Sequence, residues 1–396
     1  MAWKSIEELP VEGKRVFVRV DFNVPMKDGK ITDTTRVRES LSTIRYLLER
    51  KARVLLASHL GKAKGAPDPK YSLAPVAKCL EELIGRPVAF APDCIGEAAS
   101  AAAAKLGPGE LLLLENTRFH AGEEKNDEGM AKELASLAEV YVNDAFGSAH
   151  RAHASTAGIA KFLPLRGAGF LMAKELKALS RAVHEPEHPY VCVLGGAKIS
   201  GKIEALEAFV DRADILLVGG GMANHFVAAL GLEVGSSLLE KDHVATARKV
   251  LDRAKERGIQ IAPPSDFVVT DKFDPPHATK TVKITGIPAS WMAVDIGPAT
   301  IEQFGRLMKG AKTIVWNGPM GVFEQEEFAA GTMAIAKLIA EETSAGAFSI
   351  VGGGESVAAV AKAGLTDRIS HVSTGGGASL DYLSGKVLPG VAALEG

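Results

Sequence analysis

The sequence predicts an α/β protein made of two doubly wound parallel-sheet units joined by a helix. Three observations carry this expectation. The chain has 396 residues, long enough for two domains of ordinary size. Short Val/Ile/Leu-rich runs alternate with amphipathic stretches from end to end. The runs are continuous rather than alternating, the mark of parallel strands buried on both faces.

In the first half the strand runs are Arg15–Val20, Arg53–Ser58, Pro87–Ala91, Leu111–Glu115 and Glu139–Asn143. Helical patterns lie between them at Arg36–Arg50 and Leu73–Ile84, the second opening after an N-cap at Ser72. Ala98–Ala104 is nearly all alanine and reads as an exposed helix. In the second half the runs are Tyr190–Leu194, Ala213–Val218, Ile261–Thr270, Lys312–Asn317, Phe348–Val351 and Ile369–Thr374. The seam falls where Ala160–Phe170 carries Pro164 and two glycines, and His184–Pro189 carries two prolines. The helical pattern Leu171–Val183 between them reads as an interdomain strut. The expected division is 1–170, the hinge helix 171–183, and 184–383.

Forty-six Lys and Arg against 48 Asp and Glu leave a net charge of −2, which argues against broad nucleic-acid binding. Three cysteines without a C-x-x-C argue against a disulfide scaffold or zinc site and suit a reducing cytoplasm. Met1–Pro10 has no apolar core of a signal peptide, and no segment approaches a membrane span. The expectation is a cytoplasmic protein with no membrane or nucleic-acid partner.

Chemistry-bearing residues gather at the C-terminal ends of the strand runs, where open α/β sheets build their sites. The first run ends in Arg19-Val20-Asp21-Phe22-Asn23, with Arg36 opening the next helix. The second ends in His59-Leu60-Gly61-Lys62, the fourth leads to Arg118 and His120, and the fifth to His150, Arg151 and His153. Arginines and imidazoles converging on one crevice suit phosphate or carboxylate, and Asp21 and Asn23 offer acceptors to hydroxyl groups. The inferred ligand is small, anionic and hydroxylated.

The second half is glycine-rich at its strand ends. Gly195-Gly196-Ala197-Lys198-Ile199-Ser200-Gly201-Lys202 follows one strand and opens a helix. It nearly matches a P-loop but fails at Ile203, which has no hydroxyl for Mg²⁺. Backbone amides at a helix start with two lysines still make a polyphosphate site. Gly219–Ala223, Trp316–Glu324 and Gly352–Ser356 repeat the theme at three further strand ends. Glycines let a nucleotide approach the backbone, Glu324 can hold ribose hydroxyls, and Glu355 offers Mg²⁺ an oxygen ligand.

Val16–Pro25, Ser58–Gly61, Gly147–Ser155, Gly195–Lys202, Trp316–Glu324 and Ser373–Ser379 together resemble the phosphoglycerate kinase family, in order and over essentially the whole chain. The resemblance implies two Rossmann-like domains separated by a deep cleft, with 384–396 returning to pack on the first. It implies 3-phosphoglycerate or 1,3-bisphosphoglycerate on the first domain, Mg-ADP or Mg-ATP on the second, and a monomer. By the same resemblance Asp21, Phe22, Asn23, Arg36, His59, Leu60, Gly61, Lys62, Arg118 and Arg151 contact phosphoglycerate. Gly195, Ala197, Lys198, Lys202, Gly219, Asn317, Glu324, Gly353, Gly354, Glu355 and Ser356 contact the nucleotide. Arg36, Lys198, Lys202, Gly354 and Gly377 act on the transferring group, and Glu355 holds Mg²⁺. Two positions depart from the family's usual pattern. Lys62 stands where Arg is common, keeping the charge without the bidentate fork. Glu355 stands where Asp is commoner, with the carboxylate one methylene further out.

Overall fold

A computed structural model describes residues 3–395. The chain separates into two compact units. The first runs to Lys177 and includes the chain from Val387 onward, and the second is Ala178–Lys386. The boundary lies inside the helix Phe170–His184, one residue longer at each end than the strut read from the sequence.

Eight strands belong to the first unit: β1 (Arg15–Arg19), β2 (Met26–Lys27), β3 (Lys30–Ile31), β4 (Arg53–Ala57), β5 (Ala89–Ala91), β6 (Leu111–Leu114), β7 (Val140–Asn143) and β8 (Arg166–Ala168). Six of them form one sheet in the order β5-β6-β4-β1-β7-β8, every pair parallel. Strand β6 is four leucines, all buried, as a strand covered on both faces must be. Val16, Val18, Val54, Leu56, Leu113 and Val142 carry the core on one face, packed against the helix Leu41–Glu49 through Ile44, Leu47 and Leu48. The order puts the ends of β6, β4, β1 and β7 side by side. These four strands precede the basic loops.

The second unit holds β9 (Tyr190–Leu194), β10 (Ile215–Val218), β11 (Gln260–Ala262), β12 (Asp266–Thr270), β13 (Thr279–Lys283), β14 (Met292–Ile296), β15 (Thr313–Asn317), β16 (Phe348–Gly352) and β17 (His371–Val372). A parallel sheet runs β11-β10-β9-β15-β16-β17. The fully buried Trp316 anchors its core, its indole N–H donating to the Gly318 carbonyl at 2.8 Å. Each unit is thus an α/β unit on a six-stranded parallel sheet.

Several elements differ from the sequence reading. Ile261–Thr270 is not one strand: Pro263 and Pro264 interrupt it, and β12 joins an antiparallel sheet, β13-β12-β14, beside the main one. The stretch Arg36–Arg50 is two helices, Thr35–Glu39 and Leu41–Glu49, meeting at Ser40. The next helix begins at Ala74, capped at Leu73, although the Ser72 hydroxyl still accepts from the Ala74 amide at 3.2 Å. The seam segment contributes β8, an edge strand of three residues. The alanine-rich helix Gly96–Lys105 is largely exposed but buries Ala99 and Ala103, one turn apart.

Residues 387–395 seal part of the first unit. Leu388, Val391 and Leu394 are buried there. The Gly390 amide donates to the Ala149 carbonyl at 2.8 Å, and Asn143 Nδ2 donates to the Gly390 carbonyl at 3.2 Å. Glycine is required at 390, because a Cβ would lie 2.9 Å from the Ala149 Cα. Among the described residues no helix is long and apolar enough to cross a membrane.

Candidate functional site

In the first unit the loops after β1, β4 and β6 interlock. Asp21 Oδ2 pairs with Arg36 Nη1 at 2.7 Å, and Asp21 Oδ1 accepts from the Asn23 amide at 3.2 Å. The Asn23 carboxamide oxygen accepts from the Gly61 amide at 2.9 Å, and Arg118 Nη1 donates to the Gly61 carbonyl at 2.8 Å. Arg118 also faces the Glu124 carboxylate, Nε to Oε1 3.1 Å. Burial works against the charge on Asp21, yet the pull of a protonated His59, of Arg36 and of Arg19 together outweighs it and holds its carboxyl below the usual range. Asp21, Phe22, His59, Leu60 and Arg118 are buried, Asn23, Arg36 and Gly61 half-buried, and Lys62 and Arg151 exposed.

Beneath this surface lies a charge that the sequence reading left without a role. Arg19 is fully buried. Its Nε donates to Ser155 Oγ at 2.7 Å, its Nη1 to the Val20 carbonyl, and its Nη2 lies 3.1 Å from His59 Nδ1. Glu123, also fully buried, balances it at 3.8 Å and accepts from Ser155 Oγ at 2.6 Å, the Ser155 amide at 2.9 Å and Thr117 Oγ1 at 3.2 Å. A guanidinium can only donate, so His59 Nδ1 accepts and the ring carries its proton on Nε2. Burial first, and then Arg19, Arg118 and Arg36 against the opposing pull of Asp21, press the His59 pKa well below its usual value, so the ring is neutral at pH 7. Burial, and then Arg19, Arg118 and Arg151 against an opposing pull from Glu124, bring His153 down to about 4. The result is a fixed row of donors suited to an anion bearing hydroxyl groups.

In the second unit, glycine loops after β9, β10 and β15 press against one another. The Gly196 amide donates to the Pro319 carbonyl at 2.8 Å, the Gly195 amide to the Asn317 carbonyl at 3.0 Å, and the Gly220 amide to the Met320 carbonyl at 3.0 Å. Gly220, at φ +63°, would bring a Cβ within 2.7 Å of the Gly196 backbone, so the close approach excludes side chains. Lys202 donates from Nζ to Asn317 Oδ1 at 2.6 Å and to its carbonyl at 3.0 Å. Burial pushes the Lys202 ammonium down to about 8, against an opposing pull from Glu355. The Ser356 hydroxyl accepts from the Gly318 amide at 2.6 Å. Asn317 and Ser356 therefore hold the loops and Lys202 in place. Gly353 (φ +86°) precedes the helix Gly354–Lys362, and Gly377 opens the helix Gly377–Leu383.

A pocket of about 560 Å³ opens beside these loops. Gly196, Ala197, Gly220, Gly221, Glu324 and Glu355 line one side. Of the residues expected to contact the nucleotide, Gly195, Lys198, Lys202, Gly219, Asn317, Gly353, Gly354 and Ser356 do not line it; Lys198 is exposed on its loop. The other side is apolar, made by Leu238, Phe267, Phe273 and Met292. Phe267 and Met292 belong to β12 and β14, so the antiparallel sheet builds this wall. Leu238 and Phe273 are 49% and 43% exposed, apolar surface of the kind that a flat ligand covers. The sequence reading missed all four because nothing in their spacing separates them from core residues. A slot lined by apolar side chains, glycine loops and two glutamates, with Lys202 beside its Gly196 edge, suits a nucleotide.

For a magnesium ion the fit rests on Glu355. Its carboxylate is exposed and lines the pocket at the start of a helix. Asp295, also in the lining, accepts from the Ile296 and Gly331 amides and is not spare. One carboxylate is enough for Mg²⁺, which takes one or two from protein and fills the rest with phosphates and water.

Known proteins resemble this chain along nearly its whole length. The family model described as "Phosphoglycerate kinase" matches residues 6–386. A phosphoglycerate kinase of Thermosipho africanus is 54% identical over 391 residues, covering 98% of this chain and 97% of its own. One from Chloroflexus aurantiacus is 55% identical over 395 residues, with 99% and 98% coverage. The solved phosphoglycerate kinase structure from Coxiella burnetii superposes with a TM-score of 0.90 at 42% identity, covering 99% of this chain and 98% of that one.

Proposed function

The chain belongs to the phosphoglycerate kinase family, and from that premise we propose that it transfers a phosphoryl group reversibly between 1,3-bisphosphoglycerate and ADP, giving 3-phosphoglycerate and ATP. One observation supports the reading above others. Arginine and imidazole donors gather at the strand ends of one unit, and a pocket lined by glycine loops and two glutamates, with Lys202 beside its Gly196 edge, opens at the strand ends of the other.

In this reading Asp21 and Asn23 accept from the hydroxyl of phosphoglycerate, His59 donates from Nε2, and Arg118 and Arg151 meet its phosphate, with Lys62 adding charge at the rim. The base lies against Leu238 and Phe273, Glu324 takes the ribose hydroxyls, and the amides near Ala197 and Gly353 face the phosphates. Glu355 would hold Mg²⁺ together with the nucleotide phosphates, where the ion supplies neutralisation of phosphate charge. A carboxylate or an ADP oxygen is already a competent nucleophile, so no general base is required. What remains is alignment and charge stabilisation. Arg36, Lys198 and Lys202, with backbone amides at Gly354 and Gly377, are the groups we assign to the phosphoryl in transit. Ligands held by separate units react only when both are bound and the units have closed on them, which also excludes water. In this reading the enzyme acts as a monomer, and it works in the cytoplasm, a compartment that its three free cysteines suit.

The test is direct. Purified protein with ATP and 3-phosphoglycerate, coupled to NADH oxidation through a dehydrogenase acting on the acyl phosphate, should turn over. No turnover with 3-phosphoglycerate, alongside turnover with another carboxylate, would overturn the substrate assignment.

A further inference from the structure

A cluster of unlike metal ligands lies in the first unit, and nothing in the proposed reaction uses it. Asp93 and Cys94 follow β5, and His120 follows the short turn after β6. These are neighbouring parallel strands, with Ala91 paired to Leu114, so their loops leave the sheet side by side. A carboxylate oxygen, the Cys94 Sγ and an imidazole nitrogen all fall within 4.8 Å of one another. His120 Nε2 already meets Asp93 Oδ1 at 2.6 Å. The Asp93 carboxylate also accepts from the Cys94 amide at 2.6 Å, which fixes the loop that carries the thiol. Cys94 is fully buried, while Asp93 and His120 are partly open to solvent. A cavity of about 380 Å³ touches His120 and is bordered by Glu133.

We propose that Asp93, Cys94 and His120 form a binding site for a single thiophilic divalent cation, zinc in the first instance, with water from the cavity side as fourth ligand. The donor set decides the metal. One sulfur, one nitrogen and one oxygen is a zinc-type set, whereas magnesium and calcium take oxygen alone. The geometry is close to what is needed. Ligand atoms about 2.0–2.3 Å from a tetrahedral zinc lie roughly 3.3–3.8 Å apart, so no pair has to close by more than about 1.5 Å. The Asp93–His120 hydrogen bond opens as the metal takes its place between the two atoms, the neutral imidazole ligating through Nε2 and keeping its one proton on Nδ1. On binding, the Cys94 thiol releases its proton to solvent and ligates as thiolate. The consequence is a staple between two loops of the sheet, one of which carries Arg118. Three protein ligands and an open position distinguish this from a closed four-ligand structural site.

The experiment uses the full chain, stripped with a chelator and titrated with cobalt(II) as the spectroscopic substitute and then with zinc. One equivalent of cobalt should bind, with the intense visible absorption of a tetrahedral site and a near-ultraviolet thiolate-to-cobalt band, and zinc should abolish both. Cys94→Ser should remove the thiolate band, and His120→Gln should weaken binding by more than about tenfold. Zinc should also raise the thermal midpoint of the wild type and leave that of His120→Gln unchanged. Absence of stoichiometric binding overturns the proposal, as does a thiolate band that survives Cys94→Ser, since Cys79 or Cys192 would then be the ligand. Should Cys94→Ser fail to fold, zinc-edge X-ray absorption on the wild type decides, one sulfur neighbour supporting the site and none refuting it. None of these readings depends on phosphoryl transfer, so failure here leaves the enzymatic assignment standing.

Discussion

Lys202 sits at the point where burial and function pull against each other. Burial sets its ammonium at about 8, and phosphates need it charged. As pH rises through 8 the free enzyme loses that proton, so ADP affinity should fall by up to about tenfold per pH unit. Lys202→Arg, which stays charged, should bind ADP with a flatter profile between about pH 7 and about pH 9.5. Equal slopes by calorimetry would show that the Lys202 charge is not used. Lys198 is different: it is exposed and free to follow a moving group. Losing a donor that acts on the transition state typically costs roughly 10²–10³ in turnover, so Lys198→Ala should lower kcat by that factor with little change in KM for ATP. A steep rise in KM at unchanged kcat would reduce Lys198 to a nucleotide clamp. In the first unit Arg118→Ala should weaken 3-phosphoglycerate binding at least about tenfold while ADP affinity holds. A parallel loss of ADP affinity would contradict the assignment of one ligand to each unit.

Among the elements, the helix Phe170–His184 carries the chain from one unit into the other, and its N-terminus depends on one buried carboxylate. Asp144 Oδ1 accepts from the Leu171 amide at 2.9 Å and the Met172 amide at 3.2 Å. Burial raises the Asp144 pKa from 3.8 to about 7, and the bonds from Thr43, Met172 and Leu171 only partly offset it. Between those two values the folded chain holds a proton that the unfolded chain has released. Its contribution to stability is therefore complete at low pH and lost as pH rises through about 7. Asp144→Asn has no such proton, so the stability difference between wild type and variant should shift by on the order of 3 kcal/mol between about pH 4 and about pH 8. Urea unfolding at both pH values measures it; a constant difference would mean that Asp144 ionises normally. The elements also show how far spacing can be read. Strand β6, four buried leucines, is legible at once. Strand β13 has only one of its five residues even half-buried, and β8 has only three residues, so neither offers a pattern. The apolar wall of the pocket was hidden for the same reason, since the sheet that carries Phe267 and Met292 forms by pairing across distant segments.

For the molecule as a whole, the chain passes between units twice, in the helix Phe170–His184 and again between Lys386 and Val387. The second crossing returns only a short tail, yet that tail buries Leu388, Val391 and Leu394 and bonds to Ala149 and Asn143. Burying a leucine-sized side chain contributes about 1.5–3 kcal/mol, so ending the chain at Lys386 should cost the first unit several kcal/mol. Calorimetry should show the first unit melting earlier while the second, stabilised by bound nucleotide, keeps its transition. An unchanged first transition would mean that the tail is only a surface cover.

Continuous apolar runs, the doubling of strand–helix alternation, and the ordered series of basic and glycine-rich strand ends are properties of the sequence itself. They determine two parallel α/β units and the positions of Asp21, Arg36, His59, Arg118, Lys202 and Glu355, because strand periodicity and loop placement are local. Folding alone decides which distant groups meet. Arg19 lies in the most recognisable stretch of the chain, yet its work depends on Glu123 and Ser155, over a hundred residues away. The neutral state of His59, the lowered pKa of Lys202 and the raised pKa of Asp144 follow from burial and from partners brought together by packing. Spacing along a chain does not encode dielectric environment, and that environment sets the charge on each of these groups.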